Sequence, residues 1–338
     1  MKRRIAVFVL AALLLPLSLL FAPRLSATSS ESANGILPRS AIERTIQTGL
    51  GYLRDGWVDP VHMRLYLLHD EGEHQTTVID LTTQTVVGTG VLPYPPGLGT
   101  LSPDGRRLYA VPNNLFEFDE LMVVDTATLT QIASLPLDAD LPRADFTGIH
   151  AGPGNRLYLS QHHGVESGVY ILDATTGATL LHFKEEAWLG ATAVSGQNLI
   201  IIEFMPEQDV WMMRRYDISS VQPVLQKEVT LAANLYPDAL QIAPDQSALA
   251  MTCLHCHTIE LYDLETLEHV RTLRDEEGRQ FRDAQFSLDS RHIFGQMWED
   301  DLVALELDVA TGEATQQIVI STNYGAMLLA RSLMASSR

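Results

Sequence analysis

Short runs of apolar residues, each closed by an aspartate and followed by a polar turn, recur along this chain. The runs read VID, VVD, ILD, RYD, LYD and ELD, and they end at Asp80, Asp125, Asp173, Asp217, Asp263 and Asp308. Successive aspartates are separated by 45, 48, 44, 46 and 45 residues. Each interval contains further short segments rich in strand-forming residues, with turn residues between them. A repeat of this length, built from several short strands, is typical of one blade of a β-propeller.

The clearest copy of the repeat runs from Leu98 to Leu137 and divides into four predicted strands. Pro103-Asp104-Gly105 predicts the turn between the first two strands, because proline fixes φ and glycine accepts a backbone conformation that other residues resist. The β-rich apolar segment Leu108–Val111 follows this turn as the second strand. Equivalent turns and strands occur in the other copies, so the sequence predicts four-stranded antiparallel blades.

The repeated aspartate has a structural explanation, which we prefer to a catalytic one. It stands at the end of the third strand, before a turn that is usually rich in threonine. Its carboxylate can accept a hydrogen bond from a backbone N–H two residues further on and so close the turn to the fourth strand. Six aspartates at one structural position are therefore interpreted as six turn caps.

The number of blades follows less directly from the repeat. Residues 55–321 contain six full copies, Ala41–Gly49 resembles an extra fourth strand, and Gly325–Ser336 resembles an extra first and second strand. A ring closes best when one blade takes strands from both termini, because this leaves no free edge. We therefore predict an all-β domain over residues 41–338 with seven blades, closed by strands from both termini. Six blades with terminal extensions is the alternative.

The segments SPDGRRLYAV and LMVVDTATLTQIASLPL of the second copy resemble the YVTN-type propeller repeats. The superfamily of these seven-bladed propellers also contains the propeller chains of quinoprotein amine dehydrogenases and of methylamine dehydrogenase. The resemblance covers nearly all of residues 41–338, but its motifs are those of blades and turns. It implies a propeller that works outside the cytoplasm, and it transfers no catalytic residue.

The first 27 residues have the features of a secretory signal peptide. Lys2, Arg3 and Arg4 precede an apolar run from Ile5 to Ala22, and an A-x-A-like segment of small residues follows at 25–27. The alternative is an uncleaved membrane anchor, since the apolar run is near the length that spans a bilayer. The polar, serine-rich residues 28–40 are predicted to be a flexible linker.

The charge of the chain limits its partners. The formal charge is −19, from 42 acidic and 23 basic residues, and it becomes −23 when residues 1–27 are removed. Phosphate binding needs clustered lysine and arginine, so no nucleic-acid partner is expected. Because the acids are dispersed along the chain, we assign them mainly to the solubility of an exported protein. Attraction of cations or basic partners is the alternative.

One face of the predicted propeller carries chemically diverse residues. The segments that lead into the first strands contain Asp145, Tyr236, Asp238, Arg282 and Asp283, and they share a face with the loops between second and third strands. These side chains have no evident role in turns, so we predict that they form a ligand-binding face. The alternative is that the acids pair with arginines or cap neighbouring turns.

Histidines are concentrated in loops on the same face. Of the 11 histidines, six fall in three equivalent loops, as His69, His74, His162, His163, His255 and His257. His162 and His163 are added to the predicted ligand-binding face. His255 and His257 are candidate metal ligands, because imidazole binds Zn, Cu and Ni. The alternative is a set of solvated loop histidines that are too far apart to share one ion.

The most specific local motif is Cys253-Leu254-His255-Cys256-His257, which matches the C-x-x-C-H sequence of covalent c-type haem attachment. The motif lies at the end of a second strand and in the following loop, which leaves no segment to surround a haem. These are the only two cysteines of the chain. A disulfide between Cys253 and Cys256 is the preferred prediction for an exported protein, with a transition-metal site and a c-type haem as alternatives.

These patterns predict a secreted β-propeller, periplasmic or extracellular, that binds an unknown small molecule or protein and uses no cofactor. The alternative function is that of a periplasmic redox or metal-binding protein, which would use the Cys253–His257 segment and the loop histidines. The chain contains no G-x-S-x-G motif and no glycine-rich phosphate loop. No catalytic residue is assigned, and binding is favoured over catalysis.

Overall fold

The computed structural model describes residues 6–8 and 45–47 and, with gaps, residues 53–320. The gaps are 60–61, 70–74, 81–82, 84, 113–118, 139–140, 142–145, 162–166, 185–187, 233–234, 254, 276–277 and 298–301. The described residues form strands, turns and bends, which confirms the all-β prediction. None of them forms a helix that could cross a lipid bilayer.

Four-stranded antiparallel sheets follow one another along the described chain, and each sheet is one predicted blade. Blade 1 contains β3 (Leu53–Asp59), β4 (Arg64–His69), β5 (Gln75–Asp80) and β6 (Thr85–Val91). Blade 2 contains β7 (Pro96–Leu101), β8 (Arg107–Pro112), β9 (Glu120–Asp125) and β10 (Thr130–Pro136). Blade 3 contains β11 (Phe146–Gly152), β12 (Arg156–Gln161), β13 (Gly168–Asp173) and β14 (Thr179–Lys184).

The second half of the described chain repeats the same arrangement. Blade 4 contains β15 (Trp188–Ser195), β16 (Asn198–Met205), β17 (Val210–Asp217) and β18 (Val224–Thr230). Blade 5 contains β19 (Pro237–Ile242), β20 (Ala248–Cys253), β21 (Thr258–Asp263) and β22 (His269–Arg274). Blade 6 contains β23 (Phe281–Phe286), β24 (His292–Met297), β25 (Leu302–Asp308) and β26 (Ala314–Ile320). The first strands of successive blades lie side by side, which makes them the inner strands of the propeller.

Six blades are present in the described residues, so the prediction of seven was wrong and its six-blade alternative is correct. Part of the proposed extra fourth strand does form β2 (Thr45–Gln47), but it pairs with β1 (Ala6–Phe8) and not with a blade. A strand-like sequence pattern specifies an extended backbone, but it does not specify the neighbouring strand with which that backbone pairs. Residues 325–336 lie outside the described residues, so closure by strands from both termini stays a prediction.

The six repeated aspartates occupy one structural position, as predicted. Each is the last residue of the third strand of its blade. The Oδ1 atom of Asp125 accepts hydrogen bonds from Ala127 N at 3.0 Å, Thr128 N at 2.8 Å and Thr128 Oγ1 at 2.9 Å. Hydrogen bonds from Thr128 to the carboxylate hold the pKa of Asp125 below its usual value. The aspartates are therefore turn caps.

The Pro103-Asp104-Gly105 segment forms the turn between the first and second strands of blade 2, as predicted. Gly105 has a φ of 68°, in the left-handed region that favours glycine. A Cβ atom at this position would lie 2.4 Å from Oδ2 of Asp59, a buried residue of blade 1. Gly105 thus serves both the turn of blade 2 and its packing against blade 1.

The blades are held together by apolar layers between neighbouring sheets. Strand β8 shows the arrangement, because Leu108 and Ala110 pack towards blade 1 while Tyr109 and Val111 pack towards blade 3. All four side chains are buried. Side chains alternate between the two faces of a strand, and both faces of this strand are covered. This double burial explains why Leu108–Val111 is a continuous apolar run.

Candidate functional site

The two faces of the propeller differ in the kind of loops that they carry. The starts of the inner strands and the loops between second and third strands lie at one end of each sheet, and we call this end the loop face. The turns between first and second strands, and between third and fourth strands, lie at the other end, which we call the turn face. The antiparallel pairing of every blade produces this division.

Part of the predicted ligand-binding face is described by the structure. Tyr236 is 50% exposed and directly precedes β19, and Asp238 is exposed at the second position of that strand. Asp283 is partly buried near the start of β23, where its Oδ1 atom accepts a hydrogen bond from Ala284 N at 2.8 Å. These three residues lie on the loop face of blades 5 and 6. Asp145, His162, His163 and the side chain of Arg282 lie outside the described residues.

The cysteine and histidine segment lies beside Tyr236 on the loop face of blade 5. Cys253 and Cys256 form a disulfide, with Cα atoms 5.2 Å apart, and the Tyr236 N–H donates to Cys253 Sγ at 3.3 Å. The imidazole of His255 contacts the ring of Tyr236 edge to face, with centroids 4.8 Å apart. The Nδ1 atom of His257 lies 2.9 Å from the carbonyl oxygen of Gly278. The disulfide and its neighbours therefore define the position of Tyr236.

The two candidate metal ligands face different neighbours, since His255 contacts Tyr236 and His257 contacts Gly278. Within the described part of the chain, no three histidine, cysteine or acidic side chains come together as a metal site. The bonded sulfur atoms of Cys253 and Cys256 also do not fit covalent haem attachment, which uses free cysteine thiols. The metal and haem alternatives stay predictions.

Three aromatic side chains lie in a row across the loop-face end of blade 4. Strand pairing places Trp188 opposite Phe204, and Phe204 opposite Trp211. The ring centroids are 5.9 Å apart in the first pair and 5.2 Å apart in the second. Trp211 also packs against the apolar layer between blades 4 and 5. We call Trp188, Phe204 and Trp211 the aromatic row.

The aromatic row is exposed at its Trp188 end and partly buried at its Trp211 end. Trp188 is 62% exposed, whereas Phe204 and Trp211 are partly buried. Gly190 makes room for the indole ring of Trp211, because a Cβ atom there would lie 2.6 Å from Cζ3 of that ring. Each ring thus contacts the next, and the last packs against the apolar layer between blades 4 and 5. Trp188 presents a large, supported aromatic surface to solvent.

Trp188 begins the first strand of blade 4, but the sequence analysis did not identify the aromatic row. Phe204 and Trp211 flank a short loop in the sequence, at positions that face each other when two antiparallel strands pair. The equal distance of Phe204 and Trp211 from the loop is therefore a sequence signal that predicts their contact. Its combination with Trp188 depends on the register of β15 against β16, which the sequence does not display.

Exposed carboxylates lie near the aromatic residues in the described part of this face. Glu207 and Asp209 are exposed in the loop that joins β16 and β17, next to the aromatic row, and Asp238 is exposed beside Tyr236. Arg279 forms a bidentate ion pair with Asp275, with Nε–Oδ2 and Nη2–Oδ1 distances of 2.8 Å. The described loop face of blades 4 and 5 thus combines exposed aromatic rings with exposed carboxylates.

A second polar group lies on the inner strands of blades 3 and 4. The Nε2 atom of His150 is 3.3 Å from Oγ1 of Thr192, which also hydrogen-bonds to Oγ of the buried Ser160. Thr192 belongs to β15, whereas His150 and Ser160 belong to β11 and β12. These contacts join two blades by hydrogen bonds, and we interpret them as structural.

The sequence matches no family model and no curated protein. Among solved structures, the Myceliophteria thermophila Cps50 (Swd1) β-propeller domain superposes with a TM-score of 0.61 at 10% identity, covering 79% of this chain and 86% of that one. Kluyveromyces lactis Hsv2 superposes with a TM-score of 0.56 at 13% identity, covering 77% of this chain and 76% of that one. At these identities the similarity shows the fold alone, which is a WD40-like β-propeller.

Proposed function

We propose that this protein is an exported binding module that holds a partner protein on the loop face of blades 4 and 5. The observation that carries the proposal is the exposure of Trp188 and Tyr236 at the starts of neighbouring inner strands. The other exposed large apolar side chains of the described chain are aliphatic, and nearly all of them lie on outermost strands. Trp188 and Tyr236 thus differ from the other exposed apolar residues, because they lie at inner strands and not at the outer edge of a blade.

The exposed area of Trp188 is large enough to contribute substantially to binding. An aromatic side chain buries about 150–250 Å² in total, and 62% of the Trp188 side chain is exposed. Covering that fraction, at about 25 cal/mol per Å² of apolar area, contributes roughly 2–4 kcal/mol. Rigid tryptophan and tyrosine side chains dominate many protein interfaces, because little rotamer freedom is lost when they bind. A supported aromatic row therefore favours recognition of a partner.

Export is part of this proposal, and two features support it. The basic, apolar and small-residue segments of residues 1–27 have the order of a secretory signal. A disulfide between Cys253 and Cys256 is stable in an oxidising compartment, such as the periplasm or the extracellular space. We also propose that the chain is related to the YVTN-type propellers, on the strength of the SPDGRRLYAV and LMVVDTATLTQIASLPL segments.

A second candidate function is redox or metal chemistry at the Cys253–His257 segment. The observation that favours it is a C-x-x-C disulfide with His255 between the two cysteines and His257 directly after them, in which Cys256 is partly exposed and Cys253 is buried. An absorption spectrum and a metal analysis of exported protein test this alternative. A haem spectrum, or stoichiometric metal in protein with free thiols, would support it over simple partner binding.

The proposed function is tested by capture of a partner on matched variants of the exported protein. The wild type is compared with Trp188→Ala/Tyr236→Ala and with Val224→Ala/Val270→Ala. The valines are 51% and 61% exposed on the outermost strands β18 and β22, so the control also removes exposed apolar area. A partner identified by mass spectrometry should bind the wild type and the valine control but not the aromatic variant.

The result must be repeated with purified partner, and far-UV circular dichroism must show that both double variants are folded. A partner that binds the folded aromatic variant as tightly as the wild type would overturn the proposal. Loss of binding in the valine control alone would also overturn it, and would place the interface on the outer strands.

A further inference from the structure

We propose that Cys253 and Cys256 form a thiol–disulfide exchange site, at which the thiolate of another protein attacks the sulfur of Cys256 and Cys253 is the leaving group. This inference rests on the redox candidate of the proposed function, and it names the reaction, the class of substrate and the role of each cysteine. It follows from three observations on the described residues: the unequal exposure of the two cysteines, the donor beside Cys253 and the backbone bonds that hold the loop.

The first observation is that the two cysteines are unequally exposed. Cys253 is buried at the end of β20, where it belongs to the apolar layer between blades 4 and 5. Cys256 packs against the same layer but is partly exposed. Exchange requires that the attacking thiolate reaches one sulfur of the bond directly. A thiolate of another molecule can therefore reach Cys256 and not Cys253.

The second observation is a hydrogen-bond donor beside the sulfur that leaves. The backbone N–H of Tyr236 donates to Sγ of Cys253 at 3.3 Å. A hydrogen bond to the charged form of a group favours that form, so this N–H stabilises the thiolate that Cys253 becomes when the disulfide opens. A more stable thiolate is a better leaving group. Because Pro237 of β19 pairs with Cys253 of β20, strand pairing fixes the position of this donor.

The third observation is that backbone bonds hold the loop independently of the disulfide. The carbonyl oxygen of Cys253 accepts hydrogen bonds from the N–H of Cys256 at 3.3 Å and from the N–H of His257 at 3.2 Å. Cys253 also pairs with Thr258 across β20 and β21. The Cα atoms of the two cysteines are 5.2 Å apart, a separation typical of disulfides. After reduction, these backbone bonds keep the two thiols close enough to form the disulfide again, as reversible exchange requires.

The reaction transfers two electrons from a pair of substrate thiols to the disulfide. A substrate thiolate attacks Sγ of Cys256, the bond between Cys253 and Cys256 breaks, and its electron pair passes to Cys253, which takes up a proton from solvent. The second thiolate of the substrate then attacks the substrate sulfur of this mixed disulfide and releases Cys256 as a thiolate. The substrate is oxidised to a disulfide, and this protein is reduced to a dithiol. A disulfide of another molecule oxidises the dithiol again by the reverse exchange.

Tyr236 gives the site a surface for a protein substrate. Its backbone N–H contacts one sulfur of the disulfide, its side chain is 50% exposed, and its ring contacts His255, the residue before Cys256. An exposed aromatic ring can bind the apolar residues that flank a substrate cysteine. The substrate class is therefore a protein with a pair of cysteines, one of which lies next to an apolar residue.

The test follows exchange between the full exported protein, in its disulfide form, and a reduced peptide that carries two cysteines and a leucine. Mass spectrometry after acid quenching and alkylation should find oxidised peptide and protein dithiol in equal amounts. Cys253→Ala/Cys256→Ala is the matched control, and it should not oxidise the peptide. A disulfide that stays intact in the native protein with the peptide in excess, and is reduced only after denaturation, would overturn the inference.

A peptide with a single cysteine cannot complete the second step, so it marks the sulfur that is attacked. In excess over the wild type, this peptide should form its mixed disulfide at Cys256, as determined by peptide mapping. Among single variants, Cys253→Ala should react with dithiobis(nitrobenzoate) more than about tenfold faster than Cys256→Ala, because a buried thiol reacts only after local opening. A mixed disulfide mainly at Cys253 would overturn the assigned roles. The wild-type measurement keeps this test valid if a single variant does not fold.

Tyr236→Ala removes the aromatic ring and keeps the backbone N–H. It should slow the reaction with the leucine-containing peptide severalfold and leave the reaction with dithiothreitol unchanged. Val270→Ala, on the outermost strand β22, is the control that should change neither rate. Equal rates of the wild type and Tyr236→Ala with the peptide, or equal slowing with both reagents, would overturn the assigned substrate class.

The failures of the proposals are distinguishable. Absence of exchange, together with partner capture that depends on Trp188 and Tyr236, would overturn the exchange site and leave the binding face intact. Stoichiometric haem or metal on Cys253 and Cys256 would overturn the exchange site and leave the broader redox or metal candidate. Exchange through Cys256, in a protein whose captured partner binds equally well without the rings of Trp188 and Tyr236, would overturn the binding face alone.

Discussion

Truncation of one turn cap provides a sharp test of the structural account of the repeat. In Asp125→Ala, the two backbone N–H groups of Ala127 and Thr128 and the hydroxyl of Thr128 lose the oxygen that accepts all three of their hydrogen bonds. Hydrogen bonds to a charged group contribute about 1.5–3 kcal/mol each when they are well protected. This turn is exposed to solvent, so water can form hydrogen bonds with the donor groups that lose the carboxylate.

The expected loss is therefore that of an exposed capping residue. Replacing an aspartate cap by alanine costs about 0.5–2 kcal/mol at helix ends, and three lost hydrogen bonds place Asp125 in the upper part, at about 1–2 kcal/mol. For a domain of this size the thermal midpoint should fall by roughly 2–8 °C. Asp125→Asn keeps an acceptor oxygen without the charge and should lie between alanine and the wild type.

Urea and thermal unfolding, followed by circular dichroism, measure these differences. Glu207→Ala serves as the control, because Glu207 is an exposed carboxylate in a loop and not at the end of a third strand. It should change the midpoint by much less. If Asp125→Ala and Glu207→Ala had the same midpoint, the repeated aspartates would not be structural caps.

The aromatic row, the disulfide and the turn caps each give a further expected result. Gly190→Ala should displace Trp211, which would lie 2.6 Å from the new Cβ, and so change tryptophan emission; an unchanged spectrum would contradict the packing described. Thiol titration of denatured exported protein should find no free thiols at Cys253 and Cys256, and reduction should lower stability by about 2 kcal/mol, the loop-entropy contribution of so short a loop. Backbone hydrogen bonds lower the pKa of aspartates such as Asp173, so their stabilisation is complete above the unfolded pKa of about 3.9 and is lost as the pH falls through the folded pKa. Unfolding midpoints should thus hold from about pH 7 to 5 and fall below about pH 4, and a midpoint that rises on acidification would contradict this.

The blades could be predicted from the sequence because their signals are local. Pro103-Asp104-Gly105 specifies its turn through the conformations of three adjacent residues, and Asp125 caps a turn that begins at the next residue. In most copies the second strand also contains a continuous apolar run, such as Leu108–Val111, since that strand is covered on both faces. Because these short-range signals recur six times, they predict the blade architecture without any information on long-range contacts.

The blade count and the aromatic row depend on long-range pairing, which local signals do not specify. Thr45–Gln47 has a strand-like pattern, yet nothing in that pattern selects β1 over a blade edge as its partner. Trp188 and Trp211 are brought into one row through Phe204 by the registers of two separate strand pairs. Two residues of the predicted binding face, Tyr236 and Asp238, lie where β19 begins. Their position could be predicted because it follows directly from the repeat.

Hydrogen–deuterium exchange of the protein with and without its captured partner tests the central claim most directly. If the loop face of blades 4 and 5 is the binding surface, peptides covering residues 188–192, 235–240 and 253–258 should exchange more slowly in the complex. Peptides that cover the turn face, such as 263–268, should exchange at the same rate in both samples. Protection of the turn-face peptides, with no change at the start of β15 and β19, would contradict the account.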